Sequence, residues 1–234
     1  MVGSRGKKLI LSTPSKTRYD YKFYGRIKGV RLSDRQSKLV QSLLPDVRLD
    51  LKQPMPTGQE TVWLEIGFGG GEHLASQAIN NPQTAFIGAE PFVNGVAKLL
   101  VSIEENKIKN LAVHDGDVRD LLPKIPDNSL SRLFLLYPDP WHKQRHHKRR
   151  MVNDDTIAHF HRMLKPGAVF RFASDIEDYV YWTVAAIKKH GGFEFSGKTV
   201  EDWRQPPDDW HRTRYEAKAI REGRTPCYIS FKCN

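Results

Sequence analysis

A glycine-rich turn carries the first residues with clear chemical potential. The turn spans Leu64–His73 and reads LEIGFGGGEH, so four glycines follow a short apolar run. Glycine lets the backbone approach a ligand without a Cβ clash, and such turns bind ligands at strand ends in open α/β sheets. A dinucleotide fingerprint that begins at Gly67 would need glycine at position 72, where the chain has Glu72, and no Gly-Lys-Ser/Thr follows for a phosphate loop. The turn therefore predicts a ligand site without either phosphate motif.

Acidic residues lie at the ends of three successive predicted strands. Glu65 precedes the glycines, Glu90 lies 23 residues after Gly67, and Asp117 follows the third strand. Position 90 is the usual place for an acid that hydrogen-bonds a ribose diol. Each acid could instead cap a neighbouring helix. Their occurrence beside one glycine turn favours a shared cofactor site.

The end of the fourth predicted strand combines an acid, two prolines and a basic run. The segment Leu135–Lys143 reads LLYPDPWHK and places Asp139 between the prolines. Because proline fixes the backbone, this pattern positions a carboxylate and an adjacent aromatic side chain over the crevice. Five Lys and Arg residues without an acid lie in residues 141–150, enough for several salt-sensitive phosphate contacts. His142 and His146 have metal-site spacing, but cationic neighbours and the lack of a third ligand disfavour a metal.

The positive charge of the chain is unevenly distributed. The net charge is +10, with 13 Lys and Arg against 4 acids in residues 1–58 and 6 against 11 in residues 59–140. This distribution suits a polyanion-binding rim around a separate acidic pocket. The alternative is a solvated face with a basic tail, and charge alone does not decide between them.

The elements that must position these residues alternate along the chain. Apolar runs predict strands over Thr61–Gly67, Ala85–Ala89, Leu111–His114, Arg132–Tyr137, Val169–Ala173, Phe193–Phe195 and Cys227–Phe231. Helical patterns cover Glu72–Asn80, Asn94–Asn106, Asp154–Leu164 and Glu177–His190, the last ended by Gly191. The alternation predicts an α/β, doubly wound, mostly parallel seven-stranded sheet in which the last two strands pair antiparallel at one edge.

Several motifs together resemble bacterial tRNA (guanine-N7)-methyltransferases. Glu65-x-Gly-x-Gly-x-Gly is similar to the first motif of class I S-adenosylmethionine-dependent methyltransferases. The sharper match is Pro138–Lys143 with Arg145–Arg150, and it extends over Phe23–Gly29, Glu65–Gly69, Ala173–Asp175 and Thr213–Glu216. The resemblance implies a Rossmann-like class I methyltransferase fold and 7-methylguanosine formation in the variable region of tRNA. The cofactor would be S-adenosylmethionine, released as S-adenosylhomocysteine, with no metal. S-adenosylmethionine carries an ammonium, a sulfonium and a ribose diol but no phosphate, so acidic side chains suit it.

The resemblance also implies residue roles. The cofactor site would comprise Glu65, Gly67, Gly69, Gly71, Glu90, Asp117 and Asp139, with Asp139 also catalytic. The substrate would contact Lys143, Asp175, Thr213, Arg214, Tyr215 and Glu216, and RNA would contact Arg145, His146, His147, Lys148, Arg149 and Arg150. Asp115 is the alternative to Asp117 on the adenine side.

Composition and the resemblance set the remaining expectations. Residues 1–58 are expected to form a basic extension, partly disordered over 1–16, and residues 59–234 the methyltransferase domain. The sequence has no apolar run of membrane length and no signal-peptide region, which predicts a cytoplasmic protein. The expected partner is tRNA, with no membrane and no obligatory protein partner.

Three other functions stay open at this point. A methyltransferase for an exocyclic amine would use Asp139 as a hydrogen-bond acceptor, although the basic rim disfavours a small-molecule or basic protein substrate. An RNA-binding module could retain the cofactor fold without activity, but such a pocket has no need for an acid at every strand end. A nicotinamide dehydrogenase is disfavoured by the glycine spacing.

Overall fold

A seven-stranded sheet forms the centre of the protein. The computed structural model describes residues 23–56, 58–197 and 199–234. The strands are β1 (Val62–Ile66), β2 (Ala85–Ala89), β3 (Leu111–His114), β4 (Leu130–Leu136), β5 (Leu164–Ser174), β6 (Phe193–Ser196) and β7 (Cys227–Cys233). Their order in the sheet is β3-β2-β1-β4-β5-β7-β6, and β7 alone runs antiparallel to its neighbours.

Helices cover both faces of this sheet. They are α1 (Asp34–Ser42), α2 (Leu44–Val47), α3 (Glu72–Asn80), α4 (Val93–Asn106), α5 (Val118–Leu121), α6 (Asp154–Met163), α7 (Glu177–His190) and α8 (Arg214–Arg221). Local sequence explains several ends: Ser33 and Asn153 form capping boxes at α1 and α6, and Gly191 ends α7 in a left-handed conformation.

Two hydrophobic cores fill the space between sheet and helices. On one face, α1, α3 and α4 pack through residues such as Leu39, Leu74 and Leu99 against Phe86. On the other face, α5, α6 and α7 supply residues such as Phe160, which packs on Phe170. Because both faces are covered, the central strands are nearly continuous apolar runs, and every residue of β2 is buried. This burial makes the sheet a rigid base for the loops at its edge.

The predicted fold class is confirmed. The helices at 72–80 and 177–190 and the strands at 85–89 and 111–114 have the predicted bounds. The helix predicted to end at Leu164 ends at Met163, since Leu164 already pairs with Leu130 and starts β5. The predicted antiparallel pairing of the last two strands is confirmed, with β6 at the edge of the sheet and β7 between β5 and β6. Four short helices, α1, α2, α5 and α8, were not predicted.

The segment before the sheet is partly integrated into the domain. Helix α1 packs on α4, and Leu49 N–H donates to Val113 O at the β3 edge. The division into an extension at 1–58 and a domain at 59–234 stays a prediction, and the disorder predicted for 1–16 lies outside the described residues. Within the described part of the chain, no helix has the length and apolarity needed to cross a bilayer.

Candidate cofactor and substrate site

A cavity of about 830 Å³ opens at the carboxyl ends of β1, β2 and β4. This is where ligands bind in doubly wound sheets. The predicted site residues that line it are Gly67, Gly69, Glu90, Asp117, Asp139, Lys148, Arg149, Arg150 and Tyr215. The cavity therefore combines predicted cofactor, substrate and RNA residues. The predicted residues outside its lining are Glu65, Gly71, Lys143, Arg145, His146, His147, Asp175, Thr213, Arg214 and Glu216.

The glycine turn presents bare backbone to this cavity. Gly67 has φ +69° and its N–H donates to Ala89 O at 2.8 Å. A Cβ at this position would meet no atom within 4 Å and would extend into open space. Gly71, with φ +80°, is instead the N-cap of α3, and a Cβ there would lie 2.6 Å from Leu99 Cδ1. Gly67 thus leaves open space beside the backbone, whereas Gly71 allows the start of α3 to pack closely on Leu99.

Glu90 is held at the cavity by two backbone N–H groups. Its Oε2 accepts from Gly69 N–H at 2.8 Å and its Oε1 from Phe92 N–H at 2.9 Å. Burial raises its pKa, with smaller contributions from the charges of Asp139 and Glu65, while the two N–H bonds oppose the rise. Each oxygen keeps a lone pair for further donors. A fixed carboxylate beside bare backbone fits a cofactor with a ribose diol and no phosphate.

The other two strand-end acids have protein partners. Glu65 is buried, and its Oε2 lies 2.7 Å from His73 Nδ1. Asp117 caps α5 by accepting from Arg119 N–H at 3.0 Å, and the Arg119 guanidinium pairs with the same carboxylate. Asp117 thus matches the capping alternative while it also lines the cavity, whereas Glu65 pairs with a side chain of α3 and caps none of the described helices.

Asp115, the alternative adenine-side acid, faces a different part of the protein. Its Oδ2 lies 2.8 Å from Arg48 Nη2, and it is not among the cavity-lining residues. Its position favours Asp117 over Asp115 for the cofactor.

The turn after β4 is strained around a carboxylate. Tyr137 and Trp141 both have left-handed backbone, at φ +50° and +47°, on either side of Pro138, Asp139 and Pro140. Non-glycine residues rarely adopt this conformation, and it clusters at functional sites. No described residue hydrogen-bonds or ion-pairs with the Asp139 carboxylate, and burial raises its pKa. The turn thus presents an exposed Asp139 carboxylate to the cavity, with no partner among the described residues.

An aromatic and cationic stack joins this turn to the N-terminal segment, defined as residues 23–30. The Arg149 guanidinium lies 4.0 Å from the Tyr24 ring centroid and 4.9 Å from that of Trp141. Asn94 fixes the other end of the segment, because its side chain accepts from Gly29 N–H and donates to Val30 O. The segment therefore forms one wall of the cavity. The alternation of aromatic and basic residues around Tyr24 was the sequence signal for this wall of the cavity. The contact between Tyr24 and Arg149 could not be predicted from the sequence, because it joins distant parts of the chain.

The basic run divides into exposed and buried cations. A 3₁₀ segment, Gln144–Arg149, carries exposed Arg145 and Lys148, neither of which has an acidic partner in the described chain. Arg150 is fully buried, donates to Pro140 O at 2.9 Å and pairs with Asp178. Its guanidinium also lies over the rings of Tyr179 and Trp182. This burial assigns Arg150 a packing role and leaves the RNA-contact prediction to the other members.

His146 and His147 of the run have different surroundings. Desolvation, followed by Arg149 and the other neighbouring cations, lowers the pKa of His146. His147 lies 3.1 Å from Arg150 Nη2 and packs on the Trp182 ring. Across the described residues, no three His, Cys, Asp or Glu side chains come together as a metal would require.

The start of α8 closes over the glycine turn. Thr213 is the N-cap of α8, and its Oγ1 accepts from Glu216 N–H at 3.2 Å. Arg214 Nε lies 2.6 Å from Glu72 Oε1, and a Cβ at Gly69 would lie 3.0 Å from the Tyr215 ring. This packing brings Tyr215 into the cavity, while Arg214 holds α8 against α3.

The remaining predicted substrate residues lie around this arrangement. Glu216 is buried and accepts hydrogen bonds from Trp210 and Tyr228. Asp175 pairs with Arg224, and Lys143 is exposed without an acidic partner in the described chain. The predicted site residues thus lie around the carboxyl ends of the strands. Some of them line the cavity, and others pack behind its lining. Their individual roles stay predictions.

Comparison with solved structures identifies the fold. The 16S rRNA methyltransferase KamB aligns with a TM-score of 0.56 and 13% identity over 88% of this chain and 95% of that one. The aminoglycoside resistance methyltransferase NpmB1 aligns with a TM-score of 0.52 and 13% identity over 76% and 89% of the two chains. At this identity the likeness establishes the class I methyltransferase architecture alone.

Sequence relatives are more specific. Residues 59–228 match the family described as "Putative methyltransferase". The tRNA (guanine-N(7)-)-methyltransferase of Agrobacterium fabrum is 48% identical over 217 residues, which cover 89% of this chain and 94% of that protein. Its namesake from Roseobacter denitrificans is 50% identical over 229 residues, which cover 92% and 97%. With the cavity and its acids at the expected strand ends, this similarity means that the chain belongs to the tRNA (guanine-N(7)-)-methyltransferase family.

Proposed function

We propose that this protein transfers the methyl group of S-adenosylmethionine to N7 of a guanine in the variable region of tRNA, in the cytoplasm, with S-adenosylhomocysteine as the second product. Family membership and the activity named for relatives at 48–50% identity support the reaction. The observation that carries its location is the Asp139 carboxylate, which is exposed at the cavity and has no partner among the described residues.

The cofactor end of the cavity lies at the glycine turn. When bound, S-adenosylmethionine supplies an electrophilic methyl group on a sulfonium. Gly67 and Gly69 would admit it to the backbone, and Glu90 would accept hydrogen bonds from its ribose diol. Asp117 would face the adenine side. Glu65 would act from behind this surface, because His73 already holds its carboxylate.

Asp139 would act on the guanine. Guanine N7 has a free lone pair at neutral pH, so its attack on a methyl group requires no prior loss of a proton. The enzyme therefore needs alignment and electrostatic stabilisation more than a strong base. The Asp139 carboxylate would stabilise the positive charge of the methylated ring or accept hydrogen bonds from the N1–H and amino edge.

The exposed cations would hold the RNA. Lys143, Arg145 and Lys148 lie on the turn that follows Asp139 and have no acidic partner in the described chain. N7 is partly buried in tRNA tertiary structure, so the base must be rotated out at a cost of a few kcal/mol. Phosphate contacts from these cations would offset that cost.

The direct test is product identification. The purified protein is incubated with methyl-labelled S-adenosylmethionine and unmodified tRNA transcripts, and the digested nucleosides are identified by mass spectrometry. Labelled 7-methylguanosine is expected, and a transcript without the variable-region guanine is the matched control. Label on another base, or no label in any RNA, would contradict the proposal.

A further inference from the structure

Glu216 lies where a substrate cannot reach it. Its relative exposure is 1%, and both carboxylate oxygens face protein donors. Trp210 Nε1–H donates to Oε2 at 2.6 Å, and the Tyr228 hydroxyl donates to Oε1 at 2.8 Å. The nearest cation is Arg212, whose Nε lies 3.4 Å from Oε1 on an exposed side chain. Charge-assisted bonds of this kind keep a carboxylate in one orientation inside the protein.

Tyr228 connects Glu216 to the strained turn. Tyr228 in β7 is the pairing partner of Ala173 in β5, and Ala173 O accepts from Tyr137 N–H at 2.7 Å. The Tyr137 hydroxyl is buried beside that of Tyr228 without a hydrogen bond of normal geometry, and burial with these neighbours raises the Tyr137 pKa. Tyr228 therefore lies between Glu216 and Tyr137, and Tyr137 directly precedes Pro138 in the strained turn.

Trp210 contacts both Glu216 and Tyr228. Its ring packs edge-on against Tyr228 at a centroid distance of 4.9 Å and lies 5.4 Å from the His73 ring. The backbone before it is anchored, because Asp209 pairs with Arg132 and Arg171. Glu216 thus joins two aromatic donors that are themselves fixed to the sheet.

The left-handed backbone of Tyr137 needs such support. A non-glycine residue at φ +50° is strained and persists only where its surroundings impose it. Building on the proposed function, we propose that Glu216 is a positioning residue. It holds Tyr228 and Trp210 so that they fix Tyr137 and the turn that carries Asp139, and it does not contact the guanine.

Two substitutions at position 216 separate these roles. In Glu216→Gln the amide oxygen can accept from Trp210 and the amide N–H can donate to the Tyr228 oxygen, so the positioning role predicts a kcat within about threefold of wild type. Glu216→Ala removes both acceptors and is expected to lower kcat at least tenfold. A carboxylate that bound the N1–H and amino edge of guanine would lose one acceptor in the glutamine variant, and both variants would then lose at least tenfold.

Substitution of Tyr228 tests the path to the turn. Tyr228→Phe is expected to lower kcat about fivefold to twentyfold, while the KM for tRNA and the cofactor Kd stay within twofold. Tyr181→Phe is the matched control, since Tyr181 is 65% exposed and its hydroxyl bonds Glu177 on the outer surface of α7. Kinetics are measured below the unfolding transition of each variant. If Tyr228→Phe does not fold, Trp210→Phe removes the other donor and is expected to give the same selective loss of kcat.

The outcomes separate this proposal from the proposed function. Wild-type protein that makes no 7-methylguanosine contradicts the proposed function. Active wild type with a near-normal Glu216→Gln and a kcat-selective Tyr228→Phe supports positioning. Active wild type whose Glu216→Gln is as impaired as Glu216→Ala, or whose Tyr228→Phe keeps its kcat, overturns it.

Discussion

The two main carboxylates of the cavity are held in opposite ways. Glu90, on the proposed cofactor side, is buried and accepts hydrogen bonds from two backbone N–H groups. Asp139, on the proposed substrate side, is exposed at the cavity and has no partner among the described residues. The cofactor side is therefore organised by the protein before any ligand binds. The substrate side presents a carboxylate whose donors must come from the ligand, and the two should respond differently to removal of their charge.

The largest effect is expected for Asp139→Asn. Loss of the charge beside the methylated guanine should lower kcat by about 10²–10³-fold in the product assay. The folded-state pKa of Asp139 is raised, so its ionised form lowers stability as pH rises above the ordinary aspartate range. Because the side chain is exposed and solvent screens its charge, the substitution should raise the Tm at pH 7 only slightly. A lower Tm would show that the carboxylate has a stabilising protein partner.

Glu90→Gln should lower the Tm, in contrast to Asp139→Asn, and should weaken cofactor binding. The amide places an N–H group against Gly69 N–H or Phe92 N–H, so the Tm should fall although a buried charge is removed. S-adenosylhomocysteine should bind about 10–100-fold more weakly in calorimetry, because a charged acceptor for the ribose is lost. The comparison fails if Glu90→Gln and Asp139→Asn shift the Tm in the same direction.

The same contrast of buried and exposed groups applies to the basic run. Arg150→Ala should destabilise the protein by about 1–3 kcal/mol in urea unfolding, because it removes the buried guanidinium that pairs with exposed Asp178 and contacts Tyr179. Arg145→Ala should leave the unfolding free energy unchanged and reduce the salt dependence of tRNA binding by about one phosphate contact. Equal stability losses for the two variants would contradict this division.

The smallest effect concerns the two acids after β3. Asp115→Asn breaks a pair with the half-exposed Arg48 and should cost less than about 1 kcal/mol, with cofactor affinity unchanged. Asp117→Asn should weaken cofactor binding severalfold in the same calorimetric assay. A loss of cofactor affinity confined to Asp115→Asn would reverse the assignment.

Local pattern and tertiary contact explain what the sequence could and could not predict. The helix at 177–190 followed from its apolar stripe and from Gly191, which are readable within one window. The ends of the strands, the glycine turn and the position of Asp139 after β4 could likewise be predicted from motifs of similar length. The burial of Arg150 depends on Asp178, and that of Glu216 on Tyr228, which belong to later elements. No local pattern distinguishes an arginine that binds phosphate from one that stacks inside the protein.

The position of β7 has a consequence for synthesis. All strands of the cofactor half, β1 to β4, precede it in the chain, whereas β7 must insert between β5 and β6. A chain that emerges from the ribosome can therefore assemble the glycine turn and its acids while the Tyr228 support is still missing. Strand β7 is thus the last strand to be synthesised, and the Tyr228 support of the turn that carries Asp139 is added only after β1 to β4 have left the ribosome.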